Sequence, residues 1–298
     1  MLAALAVAGC GGDDEPTPQA ATATPEPAAT ATAAPPGSAA NAFIGSMAVD
    51  PADGRLYLGT GLGLYRVNAQ GRGQRRIRGS MSTPEGEGNV SANLVVRFRG
   101  AGEMLGSGHP EGEGSLPEDL GLMRTADGGR TWEPISELGA ADYHILQVGR
   151  DRVVGVKVEE TDIQVSTDGG RTWEARTAPA MPVDVEFDPA DPRRMVVSTA
   201  EGTFTSGDGG GSWRKRDPAA GGQLEWAAPD ALFTADAGGT IRRSADGGAT
   251  WEEAGKVDLT VNELVSAPGG ALLASIPGGE VHRSTDGGAT WEPFVKLE

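Results

Sequence analysis

Ser284–Trp291 reads Ser-Thr-Asp-Gly-Gly-Ala-Thr-Trp, and the chain carries four further copies of this octet. They are Thr125–Trp132 (TADGGRTW), Ser166–Trp173 (STDGGRTW), Ser206–Trp213 (SGDGGGSW) and Ser244–Trp251 (SADGGATW). The successive tryptophans, Trp132, Trp173, Trp213, Trp251 and Trp291, lie 41, 40, 38 and 40 residues apart. A period near 40 signals a repeat architecture, in which each unit buries its apolar face only against its neighbours. Asp-Gly-Gly is turn chemistry: glycine accepts positive φ, and an aspartate side chain accepts hydrogen bonds from backbone N–H groups just ahead of it. Apolar and β-branched residues flank the copies, as in Ile163-Gln164-Val165, so each unit reads as strand, tight turn, strand. The tryptophan is expected to wedge between neighbouring sheets. Truncating such a ring costs roughly 3–5 kcal/mol, against ~1 kcal/mol for one turn hydrogen bond. The tryptophans should therefore carry the stability, while Asp127, Asp168, Asp208, Asp246 and Asp286 fix the geometry.

These octets resemble the Asp-box, or BNR, repeat of the sialidase superfamily and related bacterial propellers. The resemblance implies an all-β fold in which the box is a structural turn away from any active site. A calcium site at each box is not expected, because one carboxylate is far short of the about six to eight oxygens that calcium takes.

With 298 residues, the chain is long enough for two ordinary domains, yet its repeats form one block. Forty-six glycines and few helix-like periodic runs favour many turns and strands. The net charge of −17 argues against nucleic acid, whose binding needs a basic stripe, and against electrostatic adsorption to anionic lipid.

Residues 1–10, MLAALAVAGC, end in Val7-Ala8-Gly9-Cys10, which looks like a bacterial lipobox. That resemblance implies a lipoprotein signal peptide, lipidation of Cys10, and an extracytoplasmic domain that meets a membrane only through its lipid. Cys10 is the sole cysteine, so no intramolecular disulfide forms. No Lys or Arg precedes the apolar run, so the true start is expected upstream. Residues 11–40 are Ala/Thr/Pro-rich and too poor in apolar side chains for a core. They read as a disordered tether reaching at most ~90 Å.

Residues 41–298 divide into six repeats of four short strands, a six-bladed β-propeller. In the first repeat, Asn68-Ala69-Gln70-Gly71 stands where a box should be, a degenerate terminal copy. The second is expected over about 92–135, with Pro84–Gly88 as a link between blades. If the boxes join third strands to fourth, second-to-third loops lie on the opposite face, where ligands meet a propeller.

One of those loops, Gly106–Asp119, is long and carries His109, Glu111 and Glu113. His144 starts the next inner strand, and Asp184, Glu225 and Glu263 start later ones. These seven residues are the candidate ligand face. Two imidazoles with carboxylates could ligate a divalent cation or run acid–base chemistry. No short-spaced motif such as HExxH is present, so no cofactor is expected and a metal-binding propeller is an alternative. His282, beside the last box, reads as a blade-surface histidine.

Gly-His-Pro of the long loop, Asp50-Pro51-Ala52-Asp53 and Gly63-Leu64-Tyr65 together resemble secreted bacterial Asp-box lipoproteins labelled glycosyl hydrolase or sialidase-like. A true sialidase implies three substrate-binding arginines, a tyrosine nucleophile with a glutamate, an aspartate, and an Arg-Ile-Pro segment. That segment is absent, Arg97-Phe98-Arg99-Gly100 is no substitute, and no arginine trio surrounds Tyr143. A photosystem II assembly-factor propeller is similar too, and its arginine patch implies a protein partner. Here the basic clusters, Arg72–Arg78 and Arg214–Arg216, read as solvated outer edges. The expected function is a monomeric, surface-anchored, non-catalytic module for a glycan or protein partner. A glycoside hydrolase is the alternative.

Overall fold

The computed structural model describes residues 43–297 apart from 85, 113 and 218–220. The segments 1–10 and 11–40, with Cys10, and Glu113 lie outside the described residues. Every regular element described is a strand. The first sheet is β1 (Ile44–Val49), β2 (Leu56–Thr60), β3 (Gly63–Val67) and β4 (Arg75–Ile77). A second group is β5 (Gly79–Thr83), β6 (Gly86–Gly100), β7 (Glu103–Glu111), β8 (Leu122–Thr125) and β9 (Thr131–Ser136). Then follow β10 (Tyr143–Val148), β11 (Val153–Lys157), β12 (Ile163–Ser166) and β13 (Glu174–Arg176). The next sheet is β14 (Pro182–Phe187), β15 (Met195–Thr199), β16 (Gly202–Ser206) and β17 (Arg214–Lys215). The last two are β18 (Gln223–Ala228), β19 (Ala231–Ala235), β20 (Thr240–Ser244) and β21 (Glu252–Lys256), and β22 (Glu263–Ala267), β23 (Ala271–Ile276), β24 (Glu280–Ser284) and β25 (Glu292–Lys296).

Five of these groups are four-stranded antiparallel sheets in sequential order, so the propeller has five such blades and not the six expected. The second repeat departs from the pattern. It starts at Gly79 rather than near 92, and Pro84–Gly88 is no link between blades but part of the β5–β6 hairpin, in which Thr83 faces Gly86. β5 also pairs in parallel with β9 through Ser80–Thr131 and Met81–Trp132, which closes the five strands on themselves. A glycine makes this possible. A Cβ on Gly79 would lie 2.4 Å from Val90 O and 2.8 Å from Trp132 Nε1.

The innermost strands β1, β6, β10, β14, β18 and β22 neighbour one another in a closed ring. Apolar clusters fill the seams. Leu105 and Leu122 pack with Tyr143, Leu146 and Val153. Val154 and Val165 pack with Val185, Met195 and Phe204. At the last seam Ile44, Met47 and Leu58 meet Val265, Leu273, Val281 and Val295. Outer strands are short and exposed, β17 having two residues, which denies an edge to other chains.

Four of the boxes join the third strand of a sheet to its fourth, as expected, while the Thr125–Trp132 box joins β8 to β9, the last two strands of the closed group. At Asp168, Oδ1 accepts the N–H groups of Arg171 and Thr172 (both 3.0 Å) and the Ser166 hydroxyl (2.8 Å), while Oδ2 accepts the Thr172 hydroxyl (2.7 Å). These bonds, Thr172 N–H first, hold the carboxyl well below the usual range. The same cage surrounds Asp127, Asp208, Asp246 and Asp286. The degenerate copy keeps the turn with an amide: Asn68 Oδ1 accepts from Gln70 N (3.0 Å) and Arg72 N (2.9 Å).

The tryptophans differ from expectation. Of the five box tryptophans only Trp132, in the closed sheet, is buried, and Trp173, Trp213, Trp251 and Trp291 are half-buried. The close contact with the preceding sheet belongs instead to the second glycine of the box. Gly170 has φ +88°, and a Cβ there would lie 2.0 Å from Leu122 Cδ2.

Candidate functional site

The six ligand-face candidates among the described residues fall into separate groups. Asp184, Glu225 and Glu263 do converge, but on an arginine. Arg97 projects from β6 and its Nη2 pairs with Glu263 of β22. Its Nε donates to Gln147 Oε1 of β10 (3.1 Å), and Nη1 to Met47 O of β1 (3.2 Å). Gln147 passes a hydrogen bond on to Asp184 of β14. Asp184 also accepts the N–H groups of Leu224 and Val185, both at 2.8 Å. Glu225 of β18 accepts from Ser266. The innermost strand of every sheet thus supplies a group to one polar plug.

The charges in the plug do not balance. Four carboxylates, Asp184, Glu186, Glu225 and Glu263, act on the single guanidinium. Burial pushes Asp184 up to about 6 and Glu263 up to about 7, with Arg97 pulling the other way. Glu186 is raised well above its ordinary value by burial and by Glu225 and Asp184. Carboxyls that titrate near neutrality suit acid–base work, but Asp184, Glu186 and Glu263 are each under 10 % exposed. Sequence reasoning missed Arg97 and Glu186. Glu186 lies two residues from Asp184 on one strand, a same-face spacing that could have revealed it.

His109 and His144 do not join this plug. Both turn to Asp142, an aspartate the sequence reading passed over. His144 Nε2 lies 2.7 Å and His109 Nε2 3.3 Å from the same Oδ2, and Asp142 is 5 % exposed. His109 Nδ1 faces Glu118 O at 2.9 Å. Both ring nitrogens of His109 thus meet acceptors, which favours the doubly protonated imidazolium. The hydrogen bond to Asp142 raises His109 to about 9 and also raises His144. Burial alone would raise Asp142, but the bonds from His109 and His144 hold it far below the usual range.

Beside His109 opens a cleft of about 510 Å³ lined by Asn93, His109, Pro110, Gly112, Gly114, Leu116 and Glu118. A double irregularity in β6 shapes its wall. The β6–β7 register slips between Val90 and Ala92 and again before Val95, and Asn93 sits there at φ +48°. Such bulges re-aim side chains beside functional sites.

Glu111 pairs with Arg76 of the first sheet. His282 is half-buried, 3.7 Å from Glu280 on a blade surface. Among the described residues no group of three or more His, Cys, Asp or Glu is arranged to hold a metal ion. Tyr143 is fully buried, stacks on Trp173 with centroids 5.0 Å apart, and donates its hydroxyl to Glu137. Burial and then Glu137 push it far above its ordinary value, unlike a nucleophile.

The family model described as BNR/Asp-box repeat matches residues 164–175, the turn between β12 and β13. The chain is a BNR/Asp-box repeat propeller. This BNR-repeat propeller is similar to the WD40 β-propeller domain of Doa1 (TM-score 0.58, 10% identity, 85% of this chain and 82% of that one). It is similar also to the GH74 xyloglucanase of Xanthomonas campestris (TM-score 0.51, 18% identity, 85% of this chain), of which it spans 45%. A structure of YCF48 bound to D1 peptide matches at TM-score 0.47 and 18% identity, over 73% of this chain and 72% of that one. At such identities the likeness establishes the fold alone. No curated protein matches the sequence.

Proposed function

We propose that this propeller is a non-catalytic binding module whose partner seats in the His109 cleft. The observation that carries this reading is the contrast between an open cleft and acids engaged elsewhere. A glycosidase needs two carboxyls about 5–10 Å apart, one of them free to meet substrate. Glu263 is paired with Arg97, Glu111 with Arg76, and Asp184 holds two backbone N–H groups. Among the described residues no Phe, Tyr or Trp lines the cleft as a platform on which a sugar could stack. The reading therefore favours a protein segment over a glycan.

The protein works as a monomer in this reading, exported and held to the bacterial cell membrane by lipid on Cys10, with residues 11–40 as tether. Four measurements test it. A photo-crosslinking residue at Asn93 should give a discrete adduct in intact cells, and His109→Ala should abolish it. A panel of chromogenic glycosides should stay uncleaved; turnover lost in Glu263→Gln would establish the hydrolase instead. Cys10→Ser should release the protein from the membrane fraction. Light scattering should return one chain mass.

A further inference from the structure

A second cleft, of about 170 Å³, opens where the first box turn docks on the first sheet. Its lining is Arg66, Arg75, Arg76, Ile77, Arg78, Gly128 and Arg130. Five of seven residues are arginines and none is acidic, in a chain whose net charge is −17. The neighbouring clefts provide an internal control. The one lined by Arg152 and Arg176 also holds Glu174 and Asp208, and Arg176 donates to Glu174 at 2.7 Å. Another sets Arg124 among Glu103, Asp127 and Glu133.

The arginines are placed at a cost. Arg66 and Arg75 are direct cross-strand partners in the β3–β4 ladder, an arrangement that destabilises a sheet when the charges are alike. Arg76 pairs with Glu111, and Arg130 donates to Asp127 O at 2.8 Å. Among the described residues no ion pair is recorded for Arg66, Arg75 or Arg78, and Arg76 Nε is buried without a partner. Guanidinium groups present planar forks of donors that match tetrahedral oxyanions two bonds at a time.

We infer that this cleft is a binding site for a tetrahedral oxyanion group, a phosphate or sulfate, free or as an ester on a small molecule. Its volume admits one such group and excludes a folded domain. The ligand neutralises the Arg66–Arg75 repulsion, so binding and stability are coupled.

The test compares wild type, Arg66→Gln/Arg75→Gln and, as a basic-surface control, Arg214→Gln. Calorimetry at fixed ionic strength would use inorganic phosphate, inorganic sulfate, a hexose phosphate and a hexose sulfate. Wild type and Arg214→Gln should bind at one site per chain, and the double variant at least about tenfold more weakly. Tighter binding of an ester than of its free ion marks the ester as the source, and the better anion identifies the acid. Without ligand the double variant should melt at the same temperature as wild type or higher, and it should lose the anion-induced rise in Tm. No saturable binding by wild type, or an equal Tm rise in the double variant, would overturn the inference.

Discussion

Replacing Glu263 by Gln removes one partner of the buried Arg97–Glu263 pair, a change that ordinarily destabilises by about 3–5 kcal/mol. Here the opposite is expected. Glu263 has company in Asp184, Glu186 and Glu225, and Arg97 is one charge against four. Burial raises Glu263 from 4.5 to about 7 even with Arg97 beside it. The sign follows from proton counting. A carboxyl raised in the folded state costs nothing below its unfolded value, where both states hold the proton. As pH rises past about 4.5 the unfolded chain ionises first, and stability is lost until the folded group ionises near 7. A shift of that size corresponds to about 3 kcal/mol above pH 8. Glutamine keeps an acceptor for Arg97 and carries no charge. Glu263→Gln should therefore stabilise by about 3 kcal/mol at pH 8.5 and by under about 1 kcal/mol at pH 5. Urea unfolding followed by tryptophan fluorescence at the two pH values, with unchanged m-values, measures this. Destabilisation at pH 8.5, or an effect independent of pH, would show that the pair and not the excess of acid governs the plug.

The reverse change, Arg97→Met, strands four carboxylates and should cost about 3–5 kcal/mol at pH 8. Much of that loss should return by pH 5, where the acids hold protons; the same urea titrations report it. Trp132→Ala should cost about 3–5 kcal/mol and Trp291→Ala about half as much, since only the first ring is buried; thermal unfolding of the pair tests the ranking. His109→Ala should unpin the segment that Glu118 anchors and speed amide exchange over residues 112–121. In wild type that protection should hold below pH 6.5 and fade as pH rises through about 9, because a histidine raised in the fold loses its contribution there.

What the sequence told of this fold was local. The box is a cage around one aspartate, closed within four residues, so it shows in the octet itself. Ile163-Gln164-Val165, read as the strand ahead of a box, lies in β12. The closed sheet was not legible, because its deciding pair joins Ser80 to Thr131 across three intervening strands. Asp184, Glu225 and Glu263 were found because each sits near the start of a first strand. Arg97 was judged only as a substitute for a missing motif. Its partners Gln147 and Glu263 lie 50 and 166 residues away, beyond any spacing rule. Asp142 sits in Ala-Ala-Asp-Tyr and carries no motif; only the ring brings two histidines to it.

Each sheet is made from one continuous stretch of chain, and the first and last meet through side chains, with Ile44 and Met47 against Val281 and Val295. Propellers that share a sheet between their two ends latch the circle with backbone hydrogen bonds. This one has no such clasp among its described strands, so no seam is privileged over another. The order in which the blades follow one another round the circle matters, and the point at which the polypeptide enters it does not. Circularly permuted chains, joined across the present seam and opened between two other blades, would keep every ladder and every apolar contact intact.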